Sequence, residues 1–116
     1  MMNKIFLTGI LGKDPVIKQF ENGNKRANLF LAVHDSYMNT SGRKIITTQW
    51  HRLTAWGRTA DQVERMLHKG SKISLEGKLR QFQALDHNLK SKKLQEIIID
   101  QFEIHVDIFQ NELIRA

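Results

Sequence analysis

Residues 50–58 read Trp-His-Arg-Leu-Thr-Ala-Trp-Gly-Arg. As a β-strand they divide between two faces, because successive side chains point to opposite sides. One face carries Trp50, Arg52, Thr54, Trp56 and Arg58. The other carries His51, Leu53, Ala55 and Gly57. Two indoles interleaved with two guanidiniums make a poor core face, since Arg is almost never fully buried unpaired. They suit a polyanion that also carries flat rings. Bases stack on the indoles, phosphates pair with the arginines, and each stacked base is worth roughly 1–3 kcal/mol. The bland alternative is that one or both Trp residues belong to the core and the arginines snorkel over them.

Charge placement favours the first reading. The chain has 116 residues and a formal net charge of +6. Residues 1–58 hold nine Lys/Arg against three Asp/Glu, whereas residues 59–116 hold nine of each. The basic surplus therefore travels with the two Trp residues, which is the footprint of a nucleic-acid surface. Lys69, Lys78, Arg80 and the weaker candidates Lys4, Lys90, Lys92 and Lys93 extend it. Phe82 shares a strand face with Lys78 and Arg80 and repeats the aromatic–basic pattern. Tyr37, in a polar segment, is placed to close over a ligand from a loop. The other phenylalanines, Phe6, Phe20, Phe30 and Phe102, have apolar neighbours and are expected in the core.

Other chemistry finds little support. With no cysteine there is no disulfide, thiolate metal site or cysteine nucleophile. The five histidines show no metal-ligand spacing, and no nucleophile elbow, phosphate-binding glycine loop or paired catalytic carboxylate is visible. The expectation is a binding protein without metal, cofactor or catalysis. No apolar run has the length of a membrane span, and no secretory signal precedes the first strand. A cytoplasmic, nucleoid-associated protein is expected.

The elements that must position these groups follow from periodicity and turn chemistry. A first strand spans 3–11 with Ile5, Leu7 and Leu11 inward, continued by a short stretch at 16–20. Glu21-Asn22-Gly23-Asn24 turns the chain. A second strand spans 26–34 with Ala27, Leu29, Leu31 and Val33 inward. A loop at 38–43 leads into a third, long strand at 44–57. Residues 59–69 form a helix, capped by Thr59 with Gln62 in a capping box, striped by Ala60, Val63, Met66 and Leu67, and ended by Gly70. A fourth strand spans 71–83, a basic hairpin tip 86–93, and a fifth strand 94–106. Glycines 9, 57 and 77 mark bends or bulges. Three strands, a helix and two strands form an all-β, five-stranded Greek-key barrel, the OB-fold, whose face binds oligonucleotides or oligosaccharides. That gives one domain at 1–106 and a short extension at 107–116, helical or frayed.

The chain also resembles the bacterial-type single-stranded DNA-binding protein (SSB) family. The resemblance rests on an ordered set of segments. It begins with Asn3-Lys4-Ile5-Phe6-Leu7-Thr8-Gly9, Leu11-Gly12-Lys13-Asp14-Pro15, Asn22-Gly23, Ala27-Asn28-Leu29 and Leu31-Ala32. It continues through Trp50-His51-Arg52, Gly57-Arg58, Lys69-Gly70-Ser71 and Glu76-Gly77-Lys78-Leu79-Arg80. It implies an OB-fold that binds single-stranded DNA, or RNA, without sequence preference, in replication, recombination or repair. It further implies a homo-oligomer, usually a tetramer, with a dimer as the other possibility. It assigns stacking to Tyr37, Trp50 and Trp56, and puts His51 near a subunit interface. Strict spacing puts Ala84 at the fourth stacking position, with Phe82 as the substitute two residues earlier. The family's polar linker and acidic tip have no counterpart before Ala116, so partner recruitment by that route is not expected. The sequence also admits two other readings: a dimeric primosomal OB protein of the same descent, and an interaction adaptor that has lost DNA binding.

Overall fold

A computed structural model describes residues 3–106, so the extension at 107–116 lies outside the described residues. Six strands and one helix follow in order: β1 Ile5–Leu11, β2 Val16–Gln19, β3 Lys25–Met38, β4 Lys44–Trp56, α1 Gly57–Met66, β5 Lys72–Leu85 and β6 Ser91–Ile104. The sheet order is β1-β5-β6-β4-β3-β2, and a further β1–β3 pairing closes it. Five strands therefore make the barrel, and β2 hangs on the outer edge of β3. Strands β4 and β6 run parallel, and the remaining pairs antiparallel. This is the expected OB-fold, with the short 16–20 continuation appearing as a strand of its own.

Alternation puts the core where the sequence reading expects it. Leu11, Ala27, Leu29, Leu31, Leu53, Ala55, Ile73, Leu75, Ile97 and Ile99 fill the barrel, and Ala60, Val63 and Leu67 close one end. Two glycines are set by close approach. A Cβ on Gly9 would collide with the Ala32 carbonyl oxygen where β1 meets β3, and one on Gly77 with the Ile98 carbonyl oxygen beside the β5–β6 register shift. Both are places where two backbones come too near for any side chain.

Three local expectations are corrected. The helix begins at Gly57, two residues before Thr59, and Trp56 precedes it with no side-chain cap. Gly57 adopts a φ of 58° and swings the chain straight from β4 into α1, so Thr59 falls inside the first turn. The helix also ends early. Leu67 is extended while its N–H still donates to the Val63 carbonyl, and this turns Leu67 into the core. Met66, expected on the buried stripe, faces solvent as a result.

Strand β3 runs to Met38, beyond the expected end at residue 34. The β3–β4 hairpin stays paired out to Met38 and Lys44. Its tip is tied by the Asn39 carboxamide oxygen, which accepts the Ser41 and Arg43 N–H groups. Asp86 does the same for Asn88 and Lys90 at the tip of the β5–β6 hairpin. Side chains that mimic a turn in this way hold short tips and let the strands run long. Lys92 and Lys93 consequently lie in β6 and not in the tip.

Candidate nucleic-acid interface

Cross-strand register builds one outer face from β2, β3, β4, β6 and β5. Opposed residues share a face, so Arg26 stands beside Trp56, Asn28 beside Thr54, Phe30 beside Arg52 and Ala32 beside Trp50. Lys18 stands beside Arg26 on the β2 side. On the far side, Phe82 pairs with Leu94, Arg80 with Glu96, Lys78 with Ile98 and Ala84 with Lys92. The parallel contact of Thr54 with Ile98 joins the two halves. Trp50, Arg52, Trp56, Lys78, Arg80, Phe82 and the weaker candidate Lys92 are thereby brought onto one surface, although they come from three strands.

Both indoles are open. Trp50 is 58% exposed and Trp56 39%. Each is held by a neighbouring ring. Phe20 stacks on Trp56 with centroids 6.1 Å apart and planes 22° apart. Phe30 lies 6.4 Å from Trp50, tilted by 58°. Cations decorate the same rings. Lys13 Nζ is 4.8 Å from the Phe30 centroid, Lys18 Nζ 5.0 Å from Phe20, Arg52 Cζ 5.6 Å from Phe30 and Arg80 Cζ 5.6 Å from Phe82. Arg26 lies over both Phe20 and Trp56, at 5.4 and 5.9 Å. Its Nε is buried without a hydrogen-bond partner among the described residues. Cation–ring contacts of this kind are worth about 0.5–1 kcal/mol at exposed sites and fix the rings before any ligand arrives.

Phe20, Phe30, Arg26, Lys13 and Lys18 were not among the site residues expected from sequence, and Phe20 and Phe30 were expected in the core. A signal was present. If Ala27, Leu29 and Leu31 point inward, Phe30 and Arg26 must point outward on the same strand. Apolar neighbours hid the two phenylalanines. Phe102 does pack against the core, but Phe6 is 71% exposed on another wall.

Several expected positions lie elsewhere. Arg58 belongs to the first turn of α1, because strand alternation stops at Trp56. Thr54 shares the face but is 4% exposed, covered by Glu96, whose Oε2 accepts its hydroxyl at 2.8 Å. Tyr37 is in β3, not in a loop. It is exposed but pairs with Ile45, on the ribbon face opposite the Trp50 row. Lys69 stands in the turn after α1, where its N–H donates to Asp14 Oδ1 at 2.7 Å. Lys90 is at the hairpin tip, and Lys93 pairs with Gln83 on the opposite face. Lys4 is on the β1–β5–β6 wall and binds Glu76 at 3.0 Å. That ammonium holds the Glu76 carboxyl below its ordinary range. Lys25, at the foot of β3, is held by Asp61 and Glu64 of α1, which raise its pKa. His51 points away from the Trp50 face, half-buried beside Ile5, Leu7 and Leu79.

Between the two halves of the face runs a groove of about 360 Å³. Phe30, Arg52 and Lys13 line one side, and Phe82 and Leu94 the other. Gly12 makes room beside it. A Cβ there would run into the Trp50 ring. Among the described residues no three acidic or histidine side chains cluster closely enough to hold a metal ion. None of the described helices is long and apolar enough to cross a membrane.

Comparison with known proteins agrees with this geometry. Residues 2–105 match the single-strand binding protein family. A single-stranded DNA-binding protein of Bacteroides thetaiotaomicron is 36% identical over 105 residues, covering 89% of this chain and 65% of the relative. The single-stranded DNA-binding protein 1 of Chlorobaculum tepidum is 35% identical over 92 residues, 79% of this chain and 57% of its own length. The chain thus spans roughly three fifths of these curated relatives. Among solved structures, a Plasmodium falciparum SSB in complex with ssDNA superposes with a TM-score of 0.81 at 28% identity. That match covers 92% of this chain and 97% of the other. A deletion mutant of the Thermus aquaticus single-stranded DNA binding protein also gives 0.81, at 26% identity over 92% of this chain and 52% of that one.

Proposed function

This chain belongs to the single-strand binding protein family, and from that premise we propose that the aromatic–basic face is its single-stranded DNA site. The observation that carries the reading is the pair of open indoles, each braced by a phenylalanine and flanked by cations. Trp50, Trp56, Phe30 and Phe82 offer π-faces to unpaired bases. Lys13, Lys18, Arg26, Arg52 and Arg80 meet the phosphates. Every base has a π-face, so stacking of this kind is tolerant of sequence. The rings are already ordered by their neighbours, so little side-chain freedom is lost on binding. Duplex DNA hides its bases, which excludes the stacking component. The protein acts by holding and protecting a strand and performs no turnover, in replication, recombination or repair on cellular DNA.

We propose in addition that copies of the chain assemble, four in preference to two. The exposed Phe6 beside the Lys4–Glu76 pair, and the half-buried His51 beside Ile5, Leu7 and Leu79, support an assembly that covers these surfaces. Native mass decides between a tetramer and a dimer.

Intrinsic Trp fluorescence tests the main reading. Adding homopolymer single strands at low salt quenches emission. Trp50→Ala and Trp56→Ala each weaken binding by about 1–3 kcal/mol, roughly 5- to 150-fold. Unchanged emission with every single strand, or full affinity of the double variant for a dye-labelled oligomer read by anisotropy, rejects the assignment.

A further inference from the structure

Glu96 is out of place on a surface built for an anion. It lines the groove between Phe30 and Phe82, and among the described residues that lining includes no other acid. Its side chain is 20% exposed. Two contacts hold it in position. The Thr54 hydroxyl donates to Oε2 at 2.8 Å, and Arg80 Nη1 donates to Oε1 at 3.4 Å. A carboxylate has about four acceptor sites, so both oxygens keep capacity to spare. Thr54 is itself buried, and its one hydroxyl proton goes to Glu96, the nearer acceptor, rather than to Asn28 Oδ1 at 3.5 Å. The Arg80 guanidinium pairs with this carboxylate and offsets its charge, so Glu96 acts in the groove as a positioned hydrogen-bond acceptor, while Arg52 and Lys13 draw the backbone to the rim.

Resting on the single-strand reading above, we infer that Glu96 sets a base preference. It accepts a hydrogen bond from the exocyclic amino group of cytosine or adenine and disfavours thymine in this groove. The chemistry is the difference between base edges. Cytosine N4 and adenine N6 are amino donors, and a carboxylate is a recognised acceptor for cytosine N4. Thymine presents a carbonyl oxygen at the corresponding place, and two acceptors face to face repel. Stacking on Trp50 and Trp56 is indifferent to this edge. The preference is therefore a local bias on otherwise unselective binding.

The test compares dT and dC oligomers of equal length at one salt concentration, against the full chain and Glu96→Gln. Glutamine keeps the size and still accepts from Thr54, but its amide also donates to a thymine carbonyl. The expected result is that the ratio of Kd for dT to Kd for dC falls about fivefold in Glu96→Gln, mainly through tighter dT binding. A second measurement needs no variant. On the unaltered protein, an oligomer of N4,N4-dimethylcytosine binds about fivefold more weakly than one of 5-methylcytosine, which adds bulk but keeps the donor. A Kd ratio unchanged in Glu96→Gln, or equal binding of the two methylated oligomers, overturns the inference and leaves the single-strand reading intact. Failure of the unaltered protein to bind any of the oligomers overturns both.

Discussion

Arg52→Gln should lower the salt dependence of DNA binding by one contact, and Lys4→Gln should not. Both substitutions remove one positive charge, so they change net charge equally. They differ in place. Arg52 stands over Phe30 on the groove and forms no ion pair among the described residues, whereas Lys4 is bound to Glu76 on another wall. Each phosphate neutralised on a single strand contributes about −0.7 to the slope of log K against log salt. The five cations nearest the rings of the face, Lys13, Lys18, Arg26, Arg52 and Arg80, give a total near −3.5 if all five meet phosphate. Losing Arg52 brings the slope to about −2.8. Between 50 and 200 mM salt, one contact is a factor of about 2.6 in affinity, so the deficit of Arg52→Gln shrinks by that factor across the range. Fluorescence titration with a fixed-length oligomer at four salt concentrations measures it. Equal slopes for Arg52→Gln and the unaltered protein refute the placement of phosphate at Arg52. A slope change in Lys4→Gln as large as that in Arg52→Gln refutes the claim that position matters beyond net charge.

Other outcomes follow from the same geometry. Gly12→Ala puts a methyl against the Trp50 ring. It should shift Trp emission and weaken oligomer binding about fivefold or more, while urea midpoints stay nearly unchanged. Leu53→Ala leaves a cavity at the centre of the barrel and should cost about 2–5 kcal/mol in urea unfolding, far more than any substitution at the exposed tip of either hairpin. The Glu76 carboxyl is held below its usual value of 4.5 by Lys4, so its pairing stabilises the fold above that pH and is lost as pH falls through the lowered value. Thermal melts from pH 6 to about 3 should therefore show a shallower acid decline in Glu76→Gln than in the unaltered protein. An identical decline in both means that the pair contributes nothing.

The fold was legible because alternation and turn residues are local signals. A strand half-buried on one side writes its register into every second residue, as 27, 29, 31 and 33 do. Asn-Gly and Asp-Pro pairs then mark where it stops. The helix edges were less legible. Thr59 and Gln62 match a capping box, yet the chain enters the helix at Gly57. A positive φ there costs glycine little, and nothing in a capping pattern reports how two elements join.

For the site, sequence alone determined which residue types share a strand face: Trp50, Arg52 and Trp56 on one, Lys78, Arg80 and Phe82 on another. It could not decide which strands lie side by side, because that depends on barrel closure between residues far apart in the chain. The β3–β4 hairpin sets Phe30 beside Arg52, and closure brings Phe82 across from them. Closure also buries Thr54 under Glu96, and it leaves Lys4 and Tyr37 facing other ways. The apolar neighbours of Phe20 and Phe30 pointed to the core, but burial is settled by what stands opposite a ring. Opposite these two stand an indole and a row of cations. One-dimensional pattern fixes orientation within a strand, whereas proximity between strands, and with it the groove and the place of Glu96 in it, exists only once the barrel is closed.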